Sequence, residues 1–319
     1  MRADRNYGCR IKTDLQYKGY AMIVMENELF RLSVLPGKGT DVIELLYKPA
    51  DMDFAWLTQL GLRRAETAFA DFQSRYEGGW QEIFPSLSGE HVYEGTKLAT
   101  YGEAWLAEWD YAVVCDDEVD IAVRFEYKLR AMPFRIKKTI AMRAGEPGFR
   151  VSESIANESP ATVYADWGHH ITFGTPYLQP GVVVELPRTN GTIVMPERGA
   201  PGGFDVLDDL SEGLYRLIRP DGLGAQVQWD LETWPYLWFW RDFGADKGGP
   251  YYGCHYNIGL EMFTSPPAAS LADSRDAGTA IRFGAWEERR ANLAFRVIDE
   301  TNERKDRGMN DVRSAFNNL

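Results

Sequence analysis

Large apolar side chains alternate with small or charged ones along much of the chain. The segment 121–128 reads Ile-Ala-Val-Arg-Phe-Glu-Tyr-Lys, with the large apolar residues at the odd positions. Successive side chains of a strand point to opposite faces of a sheet, so this pattern predicts a strand with one buried and one solvated face. The same alternation recurs at 30–34, 134–142 and 149–155, and turn residues such as Pro36-Gly37 interrupt the runs.

Two segments depart from this alternation. Between 61 and 75, apolar residues recur at helical spacing, which predicts a short helix. The segment 301–319 is polar and is predicted to form a tail or a single terminal helix. Strands do not alternate with helices, and no linker divides the rest. The sequence therefore predicts an all-β fold, a large single-domain antiparallel β-sandwich over 1–300 with few short helices.

Composition and charge narrow the classes of partner. The 319 residues include 35 Lys and Arg against 47 Asp and Glu, a net charge of −12. A surface of this sign repels phosphate backbones and anionic lipids, so we expect neither nucleic acid nor a membrane as partner. The longest uncharged stretch, 167–184, contains His, Gly and Pro, so it does not predict a transmembrane helix. Three widely spaced cysteines and an N-terminus without an apolar run favour a cytoplasmic location.

Five basic residues fall on two neighbouring predicted strands and their ends: Arg130, Arg135, Lys137, Lys138 and Arg143. The simplest interpretation is the solvated face of these strands, although Lys138 breaks the alternation. An anion-recognition patch for a charged sugar is the alternative. Glu153 shares an alternating face with Phe149 and Val151, so it is either a buried, paired acid or an edge residue.

Two adjacent histidines, His169 and His170, lie within an apolar run. On a strand their rings point to opposite faces, so one can enter a cleft while the other packs. Two structural histidines are one interpretation, and a metal site is another. The metal site is disfavoured because the rings diverge and no further ligands lie nearby.

Aromatic and glycine-rich segments accompany a single well-placed carboxylate. Glu261 follows an apolar run and precedes a loop, and aromatic walls would raise its pKa so that it could act as a base near neutral pH. The aromatic run 234–240 is either core or binding surface. Gly78-Gly79 permits close backbone approach to a ligand, and Trp80 could stack on a sugar or fill a buried turn.

Taken in order, four segments resemble the aldose 1-epimerases, the galactose mutarotase-like group, over roughly 29–290. They are the opening strand and turn 35–42, the stretch 79–85, which is similar to the family's Gly-Gly to Phe-Pro segment, a histidine motif at 169–174, and a terminal glutamate motif at 259–267.

The resemblance implies a β-sandwich and a reaction at C1 of a free sugar that uses neither metal nor cofactor. Glu261 would be the base that removes the proton of the C1 hydroxyl, and His170 the acid that protonates the ring oxygen, on opposite sides of the anomeric carbon. The residues expected to bind substrate are Tyr101, Arg75, Trp80, His169 and Trp240. Arg75 is expected to contact a hydroxyl or an anionic group. The expected partner is a small-molecule sugar that can carry negative charge, and the candidate assembly is a homodimer.

One departure from the family pattern concerns Tyr101, which stands where the family commonly has a histidine. A phenol donates a hydrogen bond but does not become cationic near neutral pH. Tyr101 would then bind and orient the sugar while His170 supplies the proton. The alternatives are a different sugar, lost catalysis, or compensation by His91. Beside the epimerase, the open hypotheses are a non-catalytic carbohydrate-binding protein and a polysaccharide lyase or glycosidase.

Overall fold

Antiparallel strands dominate the computed structural model, which describes residues 5–62 and 72–300. The first eight strands are β1 (Arg10–Tyr17), β2 (Tyr20–Glu26), β3 (Phe30–Leu35), β4 (Asp41–Tyr47), β5 (Met52–Asp53), β6 (Trp80–Ile83), β7 (His91–Tyr93) and β8 (Thr96–Leu98). The next eight are β9 (Asp110–Asp116), β10 (Asp120–Lys128), β11 (Phe134–Arg143), β12 (Gly148–Asn157), β13 (Val163–Ala165), β14 (Gly168–Gly174), β15 (Val183–Glu185) and β16 (Thr192–Val194). The last seven are β17 (Gly203–Leu207), β18 (Leu214–Ile218), β19 (Leu223–Trp229), β20 (Tyr236–Asp242), β21 (Asn257–Phe263), β22 (Ile281–Phe283) and β23 (Glu288–Asp299).

Helical structure in the described ranges is short. An α-helix, α1, spans Leu271–Asp276, and 3₁₀ turns span Lys48–Ala50, Phe72–Ser74 and Ala104–Leu106. The helix predicted between 61 and 75 falls mostly outside the described residues, as does the predicted terminal segment 301–319. No helix in the described ranges is long and apolar enough to cross a membrane.

Two large sheets form the sandwich. The first has the order β1-β2-β3-β4-β6-β14-β21-β20-β17, with β5 paired to β4, and the second has the order β16-β15-β18-β19-β23-β12-β11-β10-β9. Two small two-stranded sheets, β13-β22 and β7-β8, lie apart from them. This architecture confirms the predicted antiparallel β-sandwich.

The core lies between the two sheets and follows the alternation seen in the sequence. In β10, Ile121, Val123 and Phe125 are buried, and the residues between them are not. Phe30 from the first sheet packs on Phe149 of the second, with ring centroids 6.3 Å apart. Burying each such side chain contributes about 1.5–3 kcal/mol, so the period-two pattern selects which face of each sheet turns inward.

The five basic residues on and around β11 do not share one face. Lys137 and Arg143 are exposed, as predicted for a solvated face. Lys138 is buried, and it pairs with Glu153 across the β11–β12 ladder. The solvated-face prediction is therefore wrong for Lys138, because this residue falls on the inward side of β11 between Ile136 and Ile140. Glu153 is the buried, paired acid of the two alternatives.

Candidate active site

The central observation is a contact between His170 and Glu261. These residues lie on the neighbouring strands β14 and β21, whose register pairs His169 with Met262 and so places His170 opposite Glu261. His170 Nε2 lies 3.3 Å from Glu261 Oε1. Both residues are nearly closed off from solvent, with 8% and 3% of their surfaces exposed. The structure thus brings together the two residues predicted to be catalytic, 91 positions apart in the sequence.

Gly259 lets the Glu261 carboxylate take this position. Gly259 lies two residues before Glu261 on the same face of β21, and a Cβ there would collide with Glu261 Oε1. The carboxylate therefore leans along the strand into the space that a side chain at 259 would fill.

Burial moves the two pKa values in opposite directions. It raises the pKa of Glu261 well above its ordinary value and lowers the pKa of His170 to about 4. Both shifts disfavour the charged form of the group. Burial therefore favours a neutral imidazole beside a neutral carboxylic acid in the free protein.

Aromatic side chains cover the pair. The ring of Tyr76 lies edge-on to His170 with centroids 5.2 Å apart, and the ring of Tyr101 lies 6.3 Å from His170. Phe72 packs against both tyrosines, at 5.1 and 5.4 Å. Burial raises the pKa of Tyr101, so its phenol stays neutral. Tyr101 therefore lies beside the pair, and its role in substrate binding stays a prediction.

His169 and Trp80 lie on the opposite, inward face of the sheet. Trp80 Nε1 donates to His169 Nδ1 at 3.1 Å, and His169 Nε2 donates to Glu153 Oε2 at 3.0 Å. The predicted substrate contacts of Trp80 and His169 are therefore corrected to contacts within the core. The physical reason is the strand alternation, which turns His169 away from the face that carries His170.

Trp240 lies on the same face as the pair. It is directly opposite Gly259 in the β20–β21 ladder, and its ring lies 6.0 Å from that of Trp56. Arg75 precedes Tyr76 and is buried, and its Nε and Nη2 atoms have no hydrogen-bond partner among the described residues. Burial lowers the pKa of the Arg75 guanidinium. The contacts of Trp240 and Arg75 with a substrate stay predictions.

Several solved structures share this architecture. A galactose mutarotase-like protein from Clostridium acetobutylicum aligns with a TM-score of 0.64 and 12% identity, over 91% of this chain and 98% of that one. The chain has the galactose mutarotase-like fold. A protein from Klebsiella pneumoniae subsp. pneumoniae, provisionally named aldose 1-epimerase, aligns with a TM-score of 0.75 and 13% identity, over 92% of this chain and 84% of that one. No family model and no curated protein matches the sequence.

Within this galactose mutarotase-like sandwich, a cluster of ionisable groups lies on the other side of the sheet from His170 and Glu261. Single ligand atoms of Glu82, Glu153 and His169 lie within 4.8 Å of one another, a spacing that a metal ion could use. The ammonium of Lys138 is already placed among them, paired with Glu82 and 3.5 Å from Glu153 Oε1. Because Trp80 donates to His169 Nδ1, the proton of this imidazole sits on Nε2. The group therefore forms an ion-pair cluster around Lys138.

The sequence assigned no role to further polar residues on and near the face of the first sheet that carries His170 and Glu261. Gln81 is opposite His170 in the β6–β14 ladder, and its Nε2 donates to Asp41 Oδ2 at 3.2 Å. Asp41 in turn pairs with the buried Lys38. The alternation along β6 could have identified Gln81, since consecutive strand residues point to opposite faces and Gln81 follows the inward-facing Trp80. The fold also uses Gly78 and Gly79 for close approach to the backbone oxygens of Trp56 and Val42, whereas the sequence suggested approach to a ligand.

His91 has a structural partner elsewhere. Its Nε2 accepts a hydrogen bond from the backbone N–H of Leu271 at the start of α1, at 3.2 Å. Its Nδ1 contacts the backbone oxygen of Gly89 at 2.7 Å. Both ring nitrogens are thus engaged, which gives no support to compensation for Tyr101 by His91.

Proposed function

We propose that the protein is an aldose 1-epimerase, an isomerase that interconverts the α and β anomers of a free sugar. The observation that supports this proposal is the buried contact between His170 Nε2 and Glu261 Oε1. One imidazole and one carboxyl group supply the acid and the base that the reaction needs. The galactose mutarotase-like fold and the free cysteines, Cys9, Cys115 and Cys254, are consistent with a cytoplasmic enzyme of carbohydrate metabolism.

In the proposed reaction the pair acts in its ion-pair form. The Glu261 carboxylate takes the proton of the C1 hydroxyl, and the His170 imidazolium gives its proton to the ring oxygen. The C1–O5 bond breaks, C1 becomes an aldehyde carbon and rotates about the C1–C2 bond, and the reverse transfers close the ring on the other face. Each group regains its proton state in closure, so the step is balanced without any other reactant.

The contact changes one detail of the expected mechanism. In the expected mechanism, the acid and the base lie on opposite sides of the anomeric carbon. His170 and Glu261 instead lie side by side, at hydrogen-bond range. Side-by-side groups suit this chemistry, because the C1 hydroxyl and the ring oxygen are bonded to the same carbon and can be addressed together.

Substrate entry requires movement of the covering side chains. Tyr76 and Tyr101 pack over His170, and the pair is almost inaccessible. A pyranose that displaces these rings would bring hydroxyl groups to the buried pair. Polar substrate groups lower the cost of charge there, which favours the ion-pair form over the neutral form.

The test is anomer exchange measured by NMR with a panel of neutral, acidic, sulfonated and phosphorylated aldoses. We expect Glu261→Gln to lower the exchange rate by at least about a hundredfold, the lower range for loss of a general base. Glu108→Gln, at an exposed position, is the matched control and should keep the full rate. Full activity of Glu261→Gln, or no exchange of any sugar by the wild type, would refute the proposal.

A carbohydrate-binding protein without catalysis is the second candidate. Tyr101 favours it, because the neutral phenol beside His170 cannot replace a histidine as a cation. Calorimetric binding of a sugar without anomer exchange would identify this function.

A further inference from the structure

A second set of buried polar atoms lies beyond the reactive pair. Asn257 is 0% exposed, and neither its Oδ1 nor its Nδ2 has a hydrogen-bond partner in the described part of the chain. His255 is 3% exposed, and both of its ring nitrogens lack a partner there as well. Four unpartnered polar atoms in two neighbouring side chains are unusual, because most buried polar atoms in folded proteins are hydrogen-bonded.

Other buried asparagines of this protein show the usual pattern. Asn27 Nδ2 donates to the backbone oxygens of Arg143 and Glu146, and its Oδ1 accepts from the backbone N–H groups of Leu29 and Phe30. The amide of Asn27 thus uses its hydrogen bonds to hold a turn, whereas the amide of Asn257 makes no hydrogen bond within the described part of the chain. An unpaired buried amide is costly to the fold, so a role outside folding is the better explanation.

The position of Asn257 relates it to the reactive carboxylate. Asn257, Gly259 and Glu261 occupy alternate positions of β21 and therefore share one face. The Glu261 carboxylate leans over Gly259, two residues from Asn257. At about 3.4 Å per residue, Gly259 and Asn257 are separated by about 7 Å along the strand, which is comparable to the span of one pyranose ring.

Aromatic rings enclose this end of the site. The ring of Tyr251 lies 3.8 Å from that of His255, and Trp56 meets His255 edge-on at 4.7 Å. Trp240, opposite Gly259, completes the wall through its contact with Trp56. Aromatic faces pack against the C–H surfaces of a sugar, and polar atoms between them are then left to meet its hydroxyl groups.

We propose that Asn257 and His255 bind the ring hydroxyls at the end of a neutral aldopyranose opposite C1, and thereby select which aldose the site accepts. The amide of Asn257 supplies both a donor and an acceptor, which matches a hydroxyl group in both of its roles. The inference rests on the proposed function for the placement of C1 at His170 and Glu261.

The experiment compares Asn257→Leu and His255→Phe with the wild type. Binding of D-glucose, D-galactose and their 3-deoxy and 4-deoxy forms is measured by calorimetry, and anomer exchange by NMR. Since anomers interconvert without being consumed, binding is measurable on the active wild type at equilibrium. We expect each variant to bind a parent sugar at least about tenfold more weakly, and to lose little or nothing for the deoxy sugar that lacks the recognised hydroxyl.

The stability of the variants separates ligand binding from a structural role. Because Asn257 has no partner to lose, we expect Asn257→Leu to unfold at the same or a higher denaturant concentration than the wild type. Asn27→Leu is the matched control, and it should unfold more readily and, where folded, keep its affinity.

Three outcomes would overturn the inference: unchanged affinity in both variants, a loss of stability in Asn257→Leu as large as in Asn27→Leu, or no binding of any of these sugars by the wild type. Sugar binding that depends on Asn257 without anomer exchange would remove the proposed function and leave the inference standing.

Discussion

Lys138 offers a direct test of how the two sheets are held together behind His170 and Glu261. Its ammonium, on the second sheet, pairs with Glu82 of the first sheet and donates to Thr40 Oγ1 at 2.8 Å. The side chain of Lys138 is 7% exposed, and those of Glu82 and Glu153 are fully buried. Lys138→Met keeps most of the side-chain volume and removes the charge, leaving two buried carboxyl groups without their cation.

The expected loss is large and depends on pH. Removing one partner of a buried ion pair costs about 3–5 kcal/mol. Burial already raises the pKa of Glu82 from 4.5 to about 7, and loss of Lys138 raises it further. Between pH 4.5 and the raised pKa of Glu82, this residue keeps its proton in the folded variant and loses it in the unfolded chain. The free energy of unfolding of the variant therefore falls as the pH rises. Near pH 5, below the raised pKa of Glu82, this carboxyl group is protonated in the wild type as well, and its charge no longer pairs with Lys138. The difference between variant and wild type therefore shrinks at low pH.

Urea unfolding at pH 5.5, 7 and 8.5 measures this difference. Lys97→Met is the matched control, because Lys97 and Glu90 form a surface pair at 2.7 Å whose side chains are 53% and 44% exposed. Such pairs contribute about 0–1 kcal/mol. If Lys138→Met were no more destabilising than Lys97→Met at pH 8.5, or if its loss were independent of pH, the assigned role of the buried cluster would be wrong.

Two further predictions concern Gly259, next to the Glu261 carboxylate, and the buried carboxyl group of Asp166. Gly259→Ala should displace the Glu261 carboxylate from His170 and lower the rate of anomer exchange at least about tenfold. Gly89→Ala is the control, because its Cβ would meet open space and the rate should not change. Equal rates in the two variants would contradict this reasoning. Burial raises the pKa of Asp166 from 3.8 to about 6. The free energy of unfolding of the wild type should therefore fall by up to about 3 kcal/mol relative to that of Asp166→Asn as the pH rises from about 4 to above 6. Parallel curves of unfolding free energy against pH for the two proteins would refute this prediction.

The sandwich was predictable because burial repeats every second residue over many strands. Ile121, Val123 and Phe125 of β10 all face the core as the alternation required. The same rule separated His169 from His170, and the structure turns these two rings to opposite faces of β14. The pairing of His170 with Glu261 was not encoded in the spacing of residues. It came from motif resemblance, since the contact depends on the register of β14 against β21.

The predictions that were wrong concern buried polar residues whose hydrogen-bond or ion-pair partners are distant in the sequence. Lys138 looked like an irregular surface residue because its partner Glu82 lies on another sheet. His169 and Trp80 looked like sugar ligands because residue type alone cannot show that Trp80 donates to His169. Asn257 drew no attention, since its lack of hydrogen-bond partners is visible only once the surrounding backbone is placed.

The two faces of β14 place its two histidines in different surroundings. On the inward face, His169 is held between Trp80 and Glu153, and both of its nitrogens are engaged. On the outward face, His170 Nδ1 has no partner among the described residues, and Nε2 meets a carboxyl group on the next strand. Contacts on the inward face thus hold β14 to β6 and to the second sheet without involving the imidazole of His170. In the proposed reaction, His170 and Glu261 would keep their geometry when substrate displaces the covering tyrosines, because the contacts that hold β14 lie on the opposite face of the sheet.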